Sequence, residues 1–201
     1  MPLLAPPERL AANDGLEGLL AGIAREVRER RPPDGMRTRI VAIDGLGGSG
    51  KSSFARHLAR ALGDAPIVQT DDFATWDNPI DWWPQLLERV LVPFSRGEPA
   101  RYERSHWGGE RNGERVEIEP AELLILEGVT ASREAFAPYV TYSIWVEAPA
   151  ELRLRRGLDR DGPEALEQWR AWMAEEDEYV EREKPDERAD LVVEGDRDLW
   201  T

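Results

Sequence analysis

Hydrophobic positions along the chain form two patterns, short apolar runs typical of buried strands and spaced apolar residues typical of amphipathic helices. Arg39–Asp44 (Arg-Ile-Val-Ala-Ile-Asp) predicts a strand, and Ser52 to Leu62 carries Phe54, Leu58 and Leu62 on one helical face. Similar apolar runs predict strands at Pro66–Thr70, Leu123–Leu126, Thr141–Val146 and Leu191–Val193. Near-continuous apolar strands that alternate with helices are typical of parallel sheets covered on both faces, so the pattern predicts an α/β fold.

The other segments predict further helices, one hairpin and a leading segment. Residues 1–13 look like a loose, proline-rich lead, and a helical pattern runs from Asp14, as N-cap, to about Arg31. We expect further helices at Trp82–Ser95, Pro149–Asp161 and Pro163–Lys184, and a hairpin over residues 101–119 that turns near Asn112-Gly113. One domain is expected, with the lead and first helix in residues 1–35 and the core in residues 36–201.

Composition narrows the classes of partner. The chain has 201 residues, no cysteine and a formal net charge of −14, which excludes disulfides, thiolate metal sites and cysteine nucleophiles and disfavours a nucleic-acid partner. No apolar run approaches the ~20 residues of a membrane span, and the N-terminus lacks the pattern of a secretory signal. We expect a cytoplasmic protein with neither a nucleic-acid nor a membrane partner, whose oligomeric state the sequence leaves open.

A phosphate-binding loop lies between the first core strand and the helix that follows it: Gly45-Leu46-Gly47-Gly48-Ser49-Gly50-Lys51-Ser52. Glycines let successive N–H groups point inward, and the helix N-terminus adds partial positive charge. Lys51 is one of only two lysines among 26 basic residues, and we expect it to reach the β- and γ-phosphates. The motif predicts binding of ATP with Mg²⁺, with ATP contacts from Gly45, Gly47, Gly48, Ser49, Gly50, Lys51, Ser52 and Ser53 and a metal contact from the Ser52 hydroxyl.

Three acids follow the ends of predicted strands, where open parallel sheets place their ligands. Asp71 or Asp72 would orient an attacking hydroxyl and accept its proton, as phosphoryl transfer to an alcohol requires. Glu127 follows Leu-Leu-Ile-Leu and would serve magnesium or its waters. The alternative for each acid is a helix cap or loop residue, which is common in a chain with 40 carboxylates.

Arginines form a third candidate group. Arg153, Arg156 and Arg160 share one helical face, and Gly157 would loosen the segment enough to let it move. Such a mobile arginine lid would exclude water and neutralise the charge of a triphosphate, with Arg156 closest to catalysis and Arg153 and Arg160 binding ATP. The alternative is a solvated helix paired with neighbouring acids.

Aromatic residues are the least specific signal. Trp76, Trp82, Trp83 and Trp107 flank the predicted acceptor side and could stack on a planar substrate, although core packing explains each of them as well. Trp145, Trp169 and Trp172 are expected in the core. His106 could hydrogen-bond a substrate or be a surface residue.

Taken in order, these elements resemble the uridine kinase-like branch of P-loop kinases: the phosphate loop, Thr70-Asp71-Asp72-Phe73, a hairpin with Tyr102, Leu126-Glu127-Gly128, the arginine segment and Ala189-Asp190-Leu191-Val192-Val193. The resemblance implies a five-stranded parallel sheet in the order 2-3-1-4-5, flanked by helices, with an arginine lid. It implies that Asp71 is the catalytic base, with Asp72 as the alternative, and that Glu127 is the acid at the strand end. It also implies a substrate site that includes Asp72, Phe73, Trp76, Tyr102, His106 and Trp107.

The chain departs from that family at several positions. Ala74 follows Asp-x-Phe where uridine kinases usually have tyrosine, and Glu103-Arg104 stands where their hairpin normally has Asp-Phe. Three hypotheses therefore stay open: a kinase that phosphorylates the 5′-hydroxyl of a pyrimidine nucleoside, a kinase of the same fold that acts on another sugar, a vitamin precursor or an antibiotic, and a regulatory ATP-binding protein.

Overall fold

A six-stranded parallel sheet forms the centre of the protein in the computed structural model, which describes residues 8–9, 15–75, 78, 80–105 and 113–195. Its strands are β1 (Glu8–Arg9), β2 (Arg39–Asp44), β3 (Ile67–Gln69), β6 (Leu123–Glu127), β7 (Val140–Glu147) and β8 (Leu191–Glu194). They lie in the order β1-β8-β7-β2-β6-β3. The five strands expected from the sequence thus have the predicted order 2-3-1-4-5.

One strand is an addition to the predicted sheet. Glu8–Arg9, in the segment expected to be a loose lead, pairs in parallel with β8, with Glu8 opposite Leu191. A two-residue strand is too short to show a hydrophobic period of two, which is why the sequence pattern gave no sign of it.

The helices mostly follow the predicted boundaries. They are α1 (Gly15–Glu29), α2 (Lys51–Ala61), α3 (Trp83–Leu86), α4 (Val92–Ser95), α5 (Ala150–Asp161), α6 (Leu166–Glu183) and α7 (Pro185–Arg188). A π-helical turn at Leu87–Leu91 joins α3 to α4 without a break, so the single helix expected at Trp82–Ser95 is confirmed and contains a π-helical turn. The antiparallel hairpin consists of β4 (Ala100–Glu103) and β5 (Arg115–Ile118), and its predicted turn at Asn112 lies outside the described residues.

Both faces of the sheet are buried, because successive side chains of each strand point to opposite sides. Val41 and Ile43 of β2 pack with α1 and α2, whereas Ile40 packs with α3, α4 and the hairpin. The first helix therefore shares the core of the sheet. In the part of the chain that the structure describes, no helix is long and apolar enough to cross a lipid bilayer.

Candidate active site

The phosphate loop connects β2 to α2 at the carboxyl edge of the sheet. The helix α5 crosses directly over it, and a Cβ atom placed on Gly48 would lie 2.5 Å from the carbonyl oxygen of Arg153. Gly48 also has a φ of +77°, a conformation that L side chains rarely adopt. Glycine at this position is therefore required both by the loop conformation and by the close approach of α5.

A cleft of about 800 Å³ opens above this loop. The loop and the start of α2 contribute Gly47, Gly48, Gly50, Lys51, Ser52 and Ser53 to its walls. Gly45 and Ser49, which we also expected to bind ATP, are not among the lining residues, and Ser49 is fully buried. Lys51 is the first residue of α2, so its ammonium group and the helix N-terminus place positive charge at one end of the cleft.

Ser52 and Glu127 meet at this end of the cleft. The Ser52 hydroxyl donates a hydrogen bond of 3.0 Å to Glu127 Oε1, and Gln69 Nε2 donates one of 3.3 Å to Oε2. Burial raises the pKa of the Glu127 carboxyl, while nearby Lys51 and the two hydrogen bonds oppose that rise. A hydroxyl and a carboxylate in contact form a donor set that suits Mg²⁺, which takes few protein ligands and completes its shell with phosphate oxygens and water.

The described residues contain no group of three or more histidine, aspartate or glutamate side chains arranged to hold a metal ion. A metal site made only of protein ligands is therefore not found in that part of the chain. The pair Ser52 and Glu127 fits instead a magnesium ion shared with a bound nucleotide.

The adjacent acids Asp71 and Asp72 have different surroundings. Asp71 is exposed and lines the cleft. Asp72 is buried, accepts a hydrogen bond of 2.9 Å from the Tyr102 hydroxyl, and forms an ion pair of 3.2 Å with Arg104 Nε that lacks hydrogen-bond geometry. Only Asp71 is thus placed to meet a substrate in the cleft, while Asp72 ties the end of β3 to the hairpin.

Phe73 and Tyr102, both expected in the substrate site, lie in the packed layer between the sheet and the hairpin. Each is 4% exposed, and their ring centroids are 4.7 Å apart. Trp82 also packs against Phe73, with ring centroids 6.0 Å apart, and is buried, which agrees with the core alternative. These aromatic rings hold the segment that carries Asp71 rather than lining the cleft.

The three arginines of α5 are not all brought to the cleft. Arg156 and Arg160 line it, and Arg156 Nη1 donates to the carbonyl oxygens of Gly48 at 3.1 Å and Gly195 at 2.9 Å. Arg153 is 5% exposed and forms an ion pair of 3.1 Å with Glu176, away from the cleft walls. A shared helical face therefore did not predict a shared environment.

Gly157 has a packing role in the structure. It lies inside the continuous helix α5, and a Cβ atom there would meet the Trp169 ring at 2.3 Å. Trp169 and Trp172, which we expected in the core, both line the cleft from α6. Trp169 Nε1 also donates to Asp161, and the Arg160 guanidinium lies 5.5 Å from the centroid of its ring. The core expectation thus holds for Trp169, which is buried although it also lines the cleft, but not for the half-buried Trp172. Apolar spacing on a helix does not tell a core face from a face that closes a cleft.

Sequence reasoning missed the buried carboxylate of Asp44, the last residue of β2. It accepts hydrogen bonds from the backbone N–H groups of Gly45, Thr130 and Ser132 and from the hydroxyls of Ser132 and Tyr179, over 2.7–2.9 Å. Burial raises the pKa of Asp44, and these donors oppose that rise. Asp44 joins the phosphate loop to the loop after β6, and its position directly before Gly45 was the available signal.

Three further predicted substrate residues, Trp76, His106 and Trp107, lie outside the described residues.

The parallel sheet and the phosphate loop together define a P-loop α/β class of protein. Two solved structures share the fold: a possible uridine kinase from Bacillus stearothermophilus, at a TM-score of 0.64 and 17% identity over 88% of this chain and 98% of that one, and a candidate fructose transport system kinase from Silicibacter sp. TM1040, at a TM-score of 0.64 and 21% identity over 87% of this chain and 98% of that one. No protein-family model matches the chain.

Within that class the chain is similar to uridine kinase-like P-loop kinases. It is 25% identical over 162 residues to a uridine kinase from Halobacterium salinarum, covering 72% of this chain and 71% of the relative. It is 27% identical over 158 residues to a cytidylate kinase from Pyrobaculum arsenaticum, covering 78% of this chain and 75% of the relative.

Proposed function

We propose that this protein transfers the γ-phosphoryl group of ATP to a hydroxyl group of a small molecule. Lys51 and the loop amides hold the phosphates, and Ser52 and Glu127 hold magnesium. Magnesium, when bound, neutralises charge on the phosphate oxygens. Asp71 accepts the proton of the attacking hydroxyl, whose oxygen bonds to the γ-phosphorus as the bond to the ADP oxygen breaks. Arg156 offsets the negative charge of the phosphates.

The observation that carries the proposal is the convergence on one cleft of groups that are distant in sequence. Lys51, Ser52, Asp71, Arg156 and Arg160 line it together. A nucleotide-binding switch needs the loop and the magnesium ligands but does not need a further exposed carboxylate in the same cleft. Asp71 therefore favours a transferase over a regulator.

For the acceptor we propose the 5′-hydroxyl of a pyrimidine nucleoside. The relatives named uridine kinase support this choice, and so does the ordered series of motifs in the sequence. The relative named cytidylate kinase supports the pyrimidine base but not the hydroxyl acceptor, because cytidylate already carries a phosphate group.

A second candidate acceptor is another small alcohol, such as a sugar. Arg104 belongs to the Glu103-Arg104 pair that replaces the Asp-Phe of uridine kinases in the hairpin. It forms ion pairs with Asp72 at 3.2 Å and Glu114 at 2.8 Å. These ion pairs join the base of the hairpin to the residue next to Asp71, so they support an acceptor side that differs from that of a uridine kinase.

The test is ADP release by the purified protein with Mg-ATP, measured against nucleosides, sugars and aminoglycoside-type alcohols, with Asp71→Asn as the catalytic variant. Stimulation by uridine or cytidine that is lost in Asp71→Asn is the expected result. Stimulation by a different alcohol selects the second candidate with the same catalytic residues. An Asp71→Asn variant with wild-type turnover would exclude Asp71 as the base. Slow hydrolysis that no acceptor changes would favour the regulator.

A further inference from the structure

The carboxylate of Glu176, on α6, reaches the phosphate loop at Gly47 and is shielded from solvent there. Glu176 is fully buried, and its Oε1 atom accepts a hydrogen bond of 2.7 Å from the Gly47 N–H group. The Trp172 indole N–H donates to the same oxygen. The other oxygen, Oε2, pairs with Arg153 Nη1 at 3.1 Å. Both oxygens therefore have partners, which come from the loop, α5 and α6.

A buried carboxylate is costly unless its partners compensate for lost hydration. Glu176 has a counter-ion in Arg153, which is itself 5% exposed. Packing alone does not require an ion pair at this position, because a protein with an apolar pair of similar volume is often as stable or more stable. What the Glu176 carboxylate adds beyond packing is the charge-assisted hydrogen bond that fixes the Gly47 amide.

The close packing around Gly47 leaves this part of the loop little room to adopt another conformation. A Cβ atom on Gly47 would lie 3.1 Å from the Trp169 ring, and a Cβ atom on the next residue, Gly48, would lie 2.5 Å from the backbone of α5. Around Gly47 and Gly48 the loop thus contacts a ring from α6, the backbone of α5 and the carboxylate of Glu176. Asp44 binds the N–H group of Gly45 at the start of the loop, and Glu176 binds that of Gly47.

We propose that Glu176 is a positioning residue that holds the phosphate loop in the conformation that binds phosphate, and that Arg153 acts as its counter-ion rather than as an ATP ligand. The inference rests on the proposed function, because it assigns a role within the ATP site. It changes the role expected for Arg153 from its place on the same helical face as Arg156. It also changes the role expected for Gly47, whose N–H group binds Glu176 rather than a phosphate.

The variants that separate these roles are Glu176→Gln and the double variant Glu176→Gln with Arg153→Met. A glutamine keeps an acceptor for Gly47 but turns an N–H donor toward Arg153, and methionine at position 153 removes that conflict. We expect Glu176→Gln to weaken Mg-ATP binding about tenfold, since the loss of a charged hydrogen bond is of that order. The double variant is expected to return to within about threefold of the wild type, because the two changes couple through one contact.

Calorimetric titration of each full-length variant with Mg-ATP measures these affinities, and Glu26→Gln serves as the matched control. Glu26 accepts a hydrogen bond of 2.6 Å from Tyr142 and does not line the cleft, so its variant should bind Mg-ATP like the wild type. Unchanged affinity in Glu176→Gln would overturn the inference. A double variant weaker than Glu176→Gln would do so as well, since Arg153 would then contact the nucleotide. Failure of the wild type to bind Mg-ATP would count against the proposed function instead.

A measurement on the wild type keeps the inference testable even if a variant does not fold. Amide hydrogen exchange of Gly47, followed by NMR without nucleotide, should show a protected, downfield-shifted N–H because a carboxylate accepts its hydrogen bond. In Glu176→Gln the resonance should move upfield, while Glu26→Gln should leave it in place. An unprotected Gly47 amide in the wild type would contradict the inference directly.

Discussion

The Ser52 hydroxyl donates a hydrogen bond to Glu127 Oε1 at 3.0 Å, although the two residues are 75 positions apart in the chain. One stands at the N-terminal end of α2 and the other at the C-terminal end of β6. The contact brings the two predicted magnesium ligands together beside Lys51. It is the part of the site in which sequence motif and tertiary structure agree most directly.

Replacing the acid of this pair should impair magnesium use. We expect Glu127→Gln to raise the Mg²⁺ concentration needed for half-maximal ADP formation by about 10- to 100-fold, the usual loss when a group that holds or orients a metal is changed. The measurement is a magnesium titration at saturating ATP. Glu117→Gln, at an exposed ion pair of the hairpin, is the control and should titrate like the wild type. An unaltered magnesium requirement in Glu127→Gln would remove Glu127 from the metal site.

Magnesium affinity should also depend on pH. Burial raises the pKa of Glu127 above its ordinary 4.5, so in the folded protein this carboxylate becomes protonated on acidification at a higher pH than a free glutamate. Apparent magnesium affinity should therefore fall as pH decreases through that raised pKa, and the fall should be smaller in Glu127→Gln, where only protonation of the nucleotide remains. Titrations of magnesium at a series of pH values test this. A profile that is flat down to pH 4.5 would contradict the shift.

The same shift has a consequence for stability in the absence of magnesium. The folded state holds the Glu127 proton more tightly than the unfolded chain does, so this residue's contribution to stability is fully present below the ordinary pKa and is lost as pH rises through the folded pKa. Bound magnesium should offset that loss, because it favours the ionised form of the carboxylate.

Removing the Tyr102 hydroxyl should affect stability more than catalysis. Tyr102→Phe keeps the packing on Phe73 but leaves Asp72 without a hydrogen-bond donor at 2.9 Å. We expect the free energy of unfolding to fall by about 1–3 kcal/mol, the cost of leaving a buried polar group without its partner. Urea unfolding measures this loss. Turnover with the acceptor that the ADP-release assay identifies should stay close to wild type. A loss of turnover much greater than the loss of stability would return Tyr102 to the substrate site.

Two glycine variants test whether α5 depends on its contact with Trp169. Gly157→Ala places a methyl group 2.3 Å from the ring of Trp169, so it should destabilise the fold by about 1–3 kcal/mol, as overpacking of a tight contact does. Gly22→Ala, in α1, meets no atom within 4 Å and should instead stabilise by about 0.5–1 kcal/mol, because alanine is the better helix former. Thermal unfolding of both variants gives the comparison. Equal shifts for the two would mean that α5 and α6 do not pack as described.

Much of the fold could be predicted from local pattern. Consecutive residues of β2 point to opposite faces of the sheet, so Ile40 is buried on one side and Val41 on the other. A strand buried on both faces must be apolar throughout, and such a run is visible in the sequence. The phosphate loop is predictable for a similar reason, since its amides and glycines are contiguous in the chain. The edge strand Glu8–Arg9 could not be predicted, because its partner β8 is far away and two residues carry no period.

By itself the sequence determined the order of elements, the phosphate loop and the acids at the ends of the strands, because each depends on residues close together in the chain. Only the tertiary structure decided how neighbouring residues divide their roles. Asp71 and Asp72 are adjacent, yet Asp72 is hydrogen-bonded to the hairpin whereas Asp71 lines the cleft. Arg153 and Arg156 share a helical face, yet Arg153 forms an ion pair with Glu176 whereas Arg156 lines the cleft. The environment of a charged side chain is set by its partners in space, and distant segments supply those partners.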